Sequence, residues 1–116
     1  MIGLVPRAAT SSDIFNAIGD PTRRDILTFL APDERAVGDI VIALAMPQPS
    51  VSKHLNVLRA VGLVIARREG RQIFYRTDVA AIRPIYEWAQ PFERFWRHQL
   101  NRVKERAETK NKGGNT

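Results

Sequence analysis

The residues best suited to chemistry lie in two clusters. Gln48, Ser50, Ser52, Lys53, His54 and Asn56 are interleaved with apolar neighbours, and Arg67, Arg68 and Arg71 follow within five positions of one another. Amides, hydroxyls and ammonium groups hydrogen-bond both base edges and phosphate oxygens, while guanidiniums lie along phosphates or enter a minor groove. On a helix turning about 100° per residue, Leu55, Leu58 and Gly62 fall within about 40° of Val51. Ser52, Lys53 and Asn56 then face the opposite way. Gln48 and Ser50 occupy the first turn, the end of a helix that meets base edges and phosphates. His54 falls on the flank, where it serves either as a phosphate contact or as a packed imidazole. Any solvated helix carries residues such as Ser52 and Lys53, so the signal rests on what surrounds them.

Capping and periodicity give the surrounding elements. Ser11-Ser12-Asp13 caps a first helix carrying Ile14, Phe15 and Ile18, which Gly19 ends. Asp20 caps a second, with Pro21 in the tolerated first position and Ile26, Leu27 and Leu30 as its buried stripe; Pro32 stops it. Val37, Ile40, Val41 and Leu44 mark a third short helix, ending before Met46-Pro47 because proline disfavours helical geometry in the residue it follows. Pro49 opens a fourth, spanning 49–61, and Gly62 is its left-handed stop.

The period then changes. Leu63 to Ala66 and Gln72 to Thr77 read as a two-stranded hairpin with glycine at its tip. From Val79 to about Glu108, Ile82, Ile85, Ala89, Phe92, Trp96, Leu100 and Val103 step by three or four, predicting a long helix with a kink near Pro91. The fold class is therefore mainly α with a small β-hairpin, in the order ααααββα. Two short helices followed by a basic hairpin form a winged helix-turn-helix, whose second helix is sized for a DNA major groove about 12 Å wide. The expected organisation is a flexible N-terminus at 1–11, one domain at 12–108 and a disordered tail at 109–116.

Charge supports this assignment. The 116 residues carry a net charge of +6. Residues 1–40 hold four arginines against six acids, a net of −2, and residues 41–116 hold fourteen basic against six acidic groups, a net of +8. Such a basic half favours a polyanionic partner. The hairpin arginines can be read as a wing on phosphates or as charges that keep a sheet edge soluble.

Other classes find little support. No run reaches the roughly 18 to 20 apolar residues of a membrane span, and the start lacks a secretory pattern, so a cytoplasmic protein is expected. With no cysteine, thiolate metal sites and cysteine nucleophiles are excluded. Ser50 and His54 lie one turn apart, but the sequence offers no acid to orient the histidine and no glycine pattern for phosphate, so no enzyme and no cofactor are expected. Glu69 among arginines reads as their ion-pair partner rather than a general acid.

Asp20-Pro21-Thr22-Arg23-Arg24-Asp25-Ile26-Leu27, then Gln48 to Leu58, then Gly62-Leu63-Val64 and Arg68-Glu69-Gly70-Arg71-Gln72 with Tyr75 resemble the ArsR-type (ArsR/SmtB) family of bacterial winged-helix repressors. The resemblance runs from about residue 12 to residue 100. It implies a homodimer that binds an inverted repeat in double-stranded DNA at a promoter, usually its own, and leaves when a signal arrives. Members that sense soft metals carry Cys-Val-Cys-Asp where this chain has Ala36-Val37-Gly38-Asp39. Others bind metal through Asp and His pairs on the last helix, where His98 has only Arg94, Phe95, Asn101 and Arg102 at helical spacing. The aromatic run Phe92, Phe95 and Trp96 instead resembles the metal-free subgroup.

One domain of this size, with a radius of gyration near 13 Å, reaches one stretch of groove, whereas half-sites about 34 Å apart need two. Ile14, Phe15 and Ile18 of the first helix, with Ile85, Ala89, Phe92, Trp96, Leu100 and Val103, are the expected dimer interface, although part of this stripe is available to close the protomer's own core. A small-molecule effector would fit the apolar crevice beside the aromatic terminal helix. The remaining alternative is a winged-helix module for protein or RNA contact.

Overall fold

A computed structural model describes residues 10–114. The expectations for residues 1–9 and 115–116 lie outside the described residues. The chain divides into two compact units, meeting between Ile85 and Tyr86.

In the first unit, α1 (Ser11–Ile18), α2 (Pro21–Leu30), α3 (Val37–Leu44) and α4 (Gln48–Ala60) precede the hairpin strands β2 (Val64–Glu69) and β3 (Gln72–Thr77). A two-residue strand, β1 (Arg35–Ala36), enlarges the expected hairpin to a three-stranded antiparallel sheet of order β1-β3-β2. Its two residues are too few to leave a periodicity in the sequence. The cap of α1 is Thr10, one residue before the expected serines: its hydroxyl accepts from the Asp13 backbone N–H while the Asp13 carboxylate accepts from the Thr10 N–H. This reciprocal capping box satisfies two groups that an isolated helix end leaves open. α1 has no basic residue in its last turn, and α2 supplies the missing donors. Arg23 donates to the carbonyls of Asn16 and Ala17, and Arg24 to that of Ile18 at 2.7 Å. The run Asp20-Pro21-Thr22-Arg23-Arg24 thus starts one helix and closes the previous one.

The core comprises Ile14, Ala17, Ile26, Leu27, Leu30, Ile40, Val51, Leu55, Leu58, Leu63 and Val64. Ile14 was expected between subunits and is instead spent inside the protomer, only 7% exposed, because α1 turns the face holding Ile14 and Ala17 onto that core. Ile18 and Ile85 also pack against it. The sheet hangs from this core at one end: Val64 and Thr77 face each other across β2 and β3, and the buried Thr77 hydroxyl donates to the Leu27 carbonyl at 2.8 Å.

The two turns around α4 are closed by the same device. After α4, Gly62 at φ +80° donates to Arg59 and Leu63 donates to Leu58, with Leu58 and Leu63 both buried. These are the paired bonds and apolar contact of a Schellman stop, with glycine in its left-handed position as the sequence predicts. After α3, Ala45 donates to Ile42 and Met46 to Val41, but here an alanine takes the left-handed conformation, φ 51°. α4 itself begins at Gln48, one residue earlier than expected, so Pro49 is its second residue.

The long segment from Val79 onward does not run as one helix. A 3-10 turn at Val79–Ile82 precedes α5 (Arg83–Ala89), a second 3-10 turn at Gln90–Phe92 contains Pro91, and α6 spans Glu93–Gly114. The break at Pro91 follows from the missing N–H and the crowded preceding turn. α6 continues beyond the expected limit at Glu108 and reaches Gly114, within the stretch expected as a tail.

An alanine in left-handed geometry costs about 1–2 kcal/mol, while glycine there adds unfolded-chain entropy of about 0.4–1 kcal/mol. Ala45→Gly is therefore expected to stabilise the protein by about 0.5–1 kcal/mol, read as a raised midpoint in urea or thermal melts. A lower midpoint would show that the turn is not held in this conformation.

Candidate nucleic-acid interface

α4 is amphipathic because its environment is. It packs on α2, α3 and β2, with Val51, Leu55 and Leu58 at most 1% exposed. Burying one such side chain contributes about 1.5–3 kcal/mol, more than any single residue's helix propensity, so this seam fixes the helix's rotation. Gln48, Lys53 and Asn56 are consequently exposed, and Ser50, Ser52 and His54 are half-buried.

The structure brings part of this face together with the wing. A groove of about 660 Å³ is lined by Gln48 and Ser52 of α4, by Arg71 and Gln72 at the hairpin turn, by Asp39 of α3 and by Phe74 and Tyr75 of β3. The turn itself is two residues long, Gly70-Arg71, with Gly70 at φ +60°, the conformation a tight hairpin requires of its first position. Arg68 and Arg71 are exposed.

Arg67 is differently placed. Its Nε and Nη2 donate to the Glu34 carboxylate, the Nη2 bond being 2.6 Å, and its Nη1 donates to Glu69 at 2.9 Å. Its guanidinium carbon lies 5.1 Å from the centre of the Phe74 ring. These carboxylates push the Arg67 pKa still higher, and the bonds from Arg67 hold the Glu34 carboxyl below its ordinary value. All three Arg67 nitrogens, expected at phosphate alongside those of Arg68 and Arg71, thus donate to carboxylates of the chain itself, while the side chain remains half exposed. Glu69 is an ion-pair partner, as its arginine-rich setting indicates. Glu34 is the partner that the sequence does not reveal, since it lies 33 residues away.

At the other flank of α4, the Asp20 carboxyl is held below its ordinary value, first by the Arg23 backbone N–H it accepts at 3.1 Å, with the field of His54 adding to this. An acid near His54 is therefore supplied by α2, which local sequence around the histidine could not show. Asp20 is already engaged as a helix cap. Among the described residues no group of three His, Asp or Glu is arranged to hold a metal ion, and no helix is long and apolar enough to cross a membrane.

Comparison with known proteins agrees with this geometry. Residues 20–66 match the model of the bacterial regulatory protein arsR family, covering α2 through the start of β2. The transcriptional repressor SdpR of Bacillus subtilis is 33% identical over 81 residues, 70% of this chain and 90% of the relative. The chain belongs to the arsR family. An HTH-type transcriptional regulator of Methanocaldococcus jannaschii, MJ1325, is 47% identical over 66 residues, 56% of this chain and 74% of its own length. Among solved structures, an ArsR-like transcriptional regulator from Rhodococcus sp. RHA1 superposes with a TM-score of 0.63 at 29% identity, covering 82% of this chain and 90% of that one. The arsR-family fold, a winged helix-turn-helix with a long C-terminal helix, is the one the sequence predicts.

Both perturbed carboxyls are lowered, so their contribution to stability is present above their unfolded values and is lost as pH falls through the folded ones. Stability is expected to decline as pH drops from Glu34's ordinary 4.5 through Asp20's ordinary 3.8 and below. Asp20→Asn, which keeps a capping oxygen, should flatten that acid limb in melts recorded across this range. An unchanged limb would remove Asp20 from the account.

Proposed function

We propose that this arsR-family chain is a homodimeric transcriptional repressor that binds an inverted-repeat operator in double-stranded DNA. Gln48, Ser50, Ser52, Lys53 and Asn56 read and grip the major groove, and Arg68 and Arg71 lie on the flanking backbone. The observation that carries this reading is the groove shared by Gln48, Ser52 and Arg71, which sets the polar start of α4 beside the wing tip. The relative named as a transcriptional repressor supports repression as the outcome. His54, on the half-buried flank of α4, serves to orient α4 on the backbone rather than to read bases. Dimerisation is assigned to the second unit, where Trp88, Phe92, Phe95, Trp96, Leu100 and Val103 are all exposed. With Ala36 and Gly38 lacking sulfur, no soft-metal signal is assigned to α3. The site of action is the cytoplasm.

The test starts by selecting duplexes from a random-sequence pool. Binding to the selected duplex should weaken steeply with salt, each phosphate contact contributing a slope of about −0.9 in log K against log salt. Lys53→Ala should lower affinity and reduce the slope by about 1 per half-site while leaving helicity intact. A flat salt dependence on every selected duplex would instead favour a protein-docking module. Trp96→Glu should yield monomers by light scattering; an unchanged dimer would move the interface off α6.

A further inference from the structure

We infer that Arg67 and Glu34 form a strap across the wing, making both residues positioning elements for DNA binding rather than contacts with it. The inference rests on the DNA-binding reading above, and its physical basis lies in the register of the sheet. Arg67 of β2 faces Phe74 of β3, and Phe74 faces Ala36 of β1. Side chains alternate along a strand, so Arg67, Phe74 and Ala36 share one face, and Glu34, two positions before Ala36, falls on that face too. The Arg67 side chain therefore runs across the middle strand, over the Phe74 ring, to a carboxylate on the far side.

That path matters because of the order β1-β3-β2. β1 pairs only with β3, leaving β2 as an edge strand without a backbone tie to the segment that leads into α3. Ala36 is the residue immediately before α3, so only Arg35 and Ala36 separate Glu34 from the first helix of the helix-turn-helix pair. The strap joins the outer wing strand to that point. With Nε and Nη2 on Glu34 and Nη1 on Glu69, the planar fork is engaged along two edges, a geometry that lysine cannot reproduce. The wing's angle to α4 sets where Arg71 meets the backbone, since Arg71 sits at the far end of the same hairpin.

A strap and a phosphate contact predict different outcomes. In hydrogen exchange of the DNA-free protein, Glu34→Gln should speed exchange across 64–77 by about threefold, the scale of a well-formed exposed ion pair. On the duplex selected by the parent protein, Arg67→Lys and Glu34→Gln should each weaken binding several-fold. The slope against salt should stay unchanged, and the double variant should be no worse than the weaker single variant. If Arg67 instead touches phosphate, Arg67→Lys binds like the parent, Glu34→Gln binds as tightly or more tightly, and Arg67→Met lowers the slope by about 0.9 per protomer. That pattern, or unchanged exchange in Glu34→Gln, overturns the strap. A parent protein that binds no selected duplex overturns the DNA-binding reading, and the exchange measurement then still decides the strap.

Discussion

The seam of Val51, Leu55 and Leu58 is the constraint from which the rest of the first unit follows. These side chains are buried against α2, α3 and β2, and a helix with one face fixed has no choice about the other. Lys53 and Asn56 are outside because Leu55 is inside. The same seam sets the exit from α4: Leu58 and Leu63 share the core, the Leu63 N–H returns to the Leu58 carbonyl, and Gly62 makes the reversal that aims β2 outward. Recognition helix and wing are thus products of one packing event, and their juxtaposition at a common groove needs no separate explanation.

The wing is anchored at its base and braced along its length. At the base, Thr77 is tied to α2 by a buried hydrogen bond, and Val64 enters the core. Along its length, the short β1 ladder holds β3 and the Arg67–Glu34 pair holds β2. Two-stranded hairpins are marginal in water, so an exposed one requires such supports. Three arginines near one tip look equivalent as charges. Their roles diverge because alternation puts Arg67 on the face that Phe74 and Glu34 share, while Arg71 occupies the turn itself.

The second unit carries a different burden. α6 has 22 residues, about 33 Å at the usual rise, with Trp96, Leu100 and Val103 exposed along it. These three step by four and three positions, so they fall on one face of α6. Ile14 shows the opposite allocation: its apolar character was visible, but the choice between own core and partner was made by which face of α1 met α2.

Local chemistry determined much of this protein. Helices α2 to α4 were legible from Asp20-Pro21, Pro47-Gln48-Pro49 and Gly62, because caps and breakers act over one turn and write themselves into consecutive residues. The polar face of α4 was legible because helical period converts spacing into direction, and Glu69 was legible as an ion-pair partner because its arginines are adjacent. Only the tertiary structure decided what depends on residues far apart in the chain. β1 was too short to leave a pattern, and Glu34 reached Arg67 across 33 positions. Sequence fixes which groups can pair within a turn of one another; which distant groups do pair is settled when the core closes and brings strands and helices to one register.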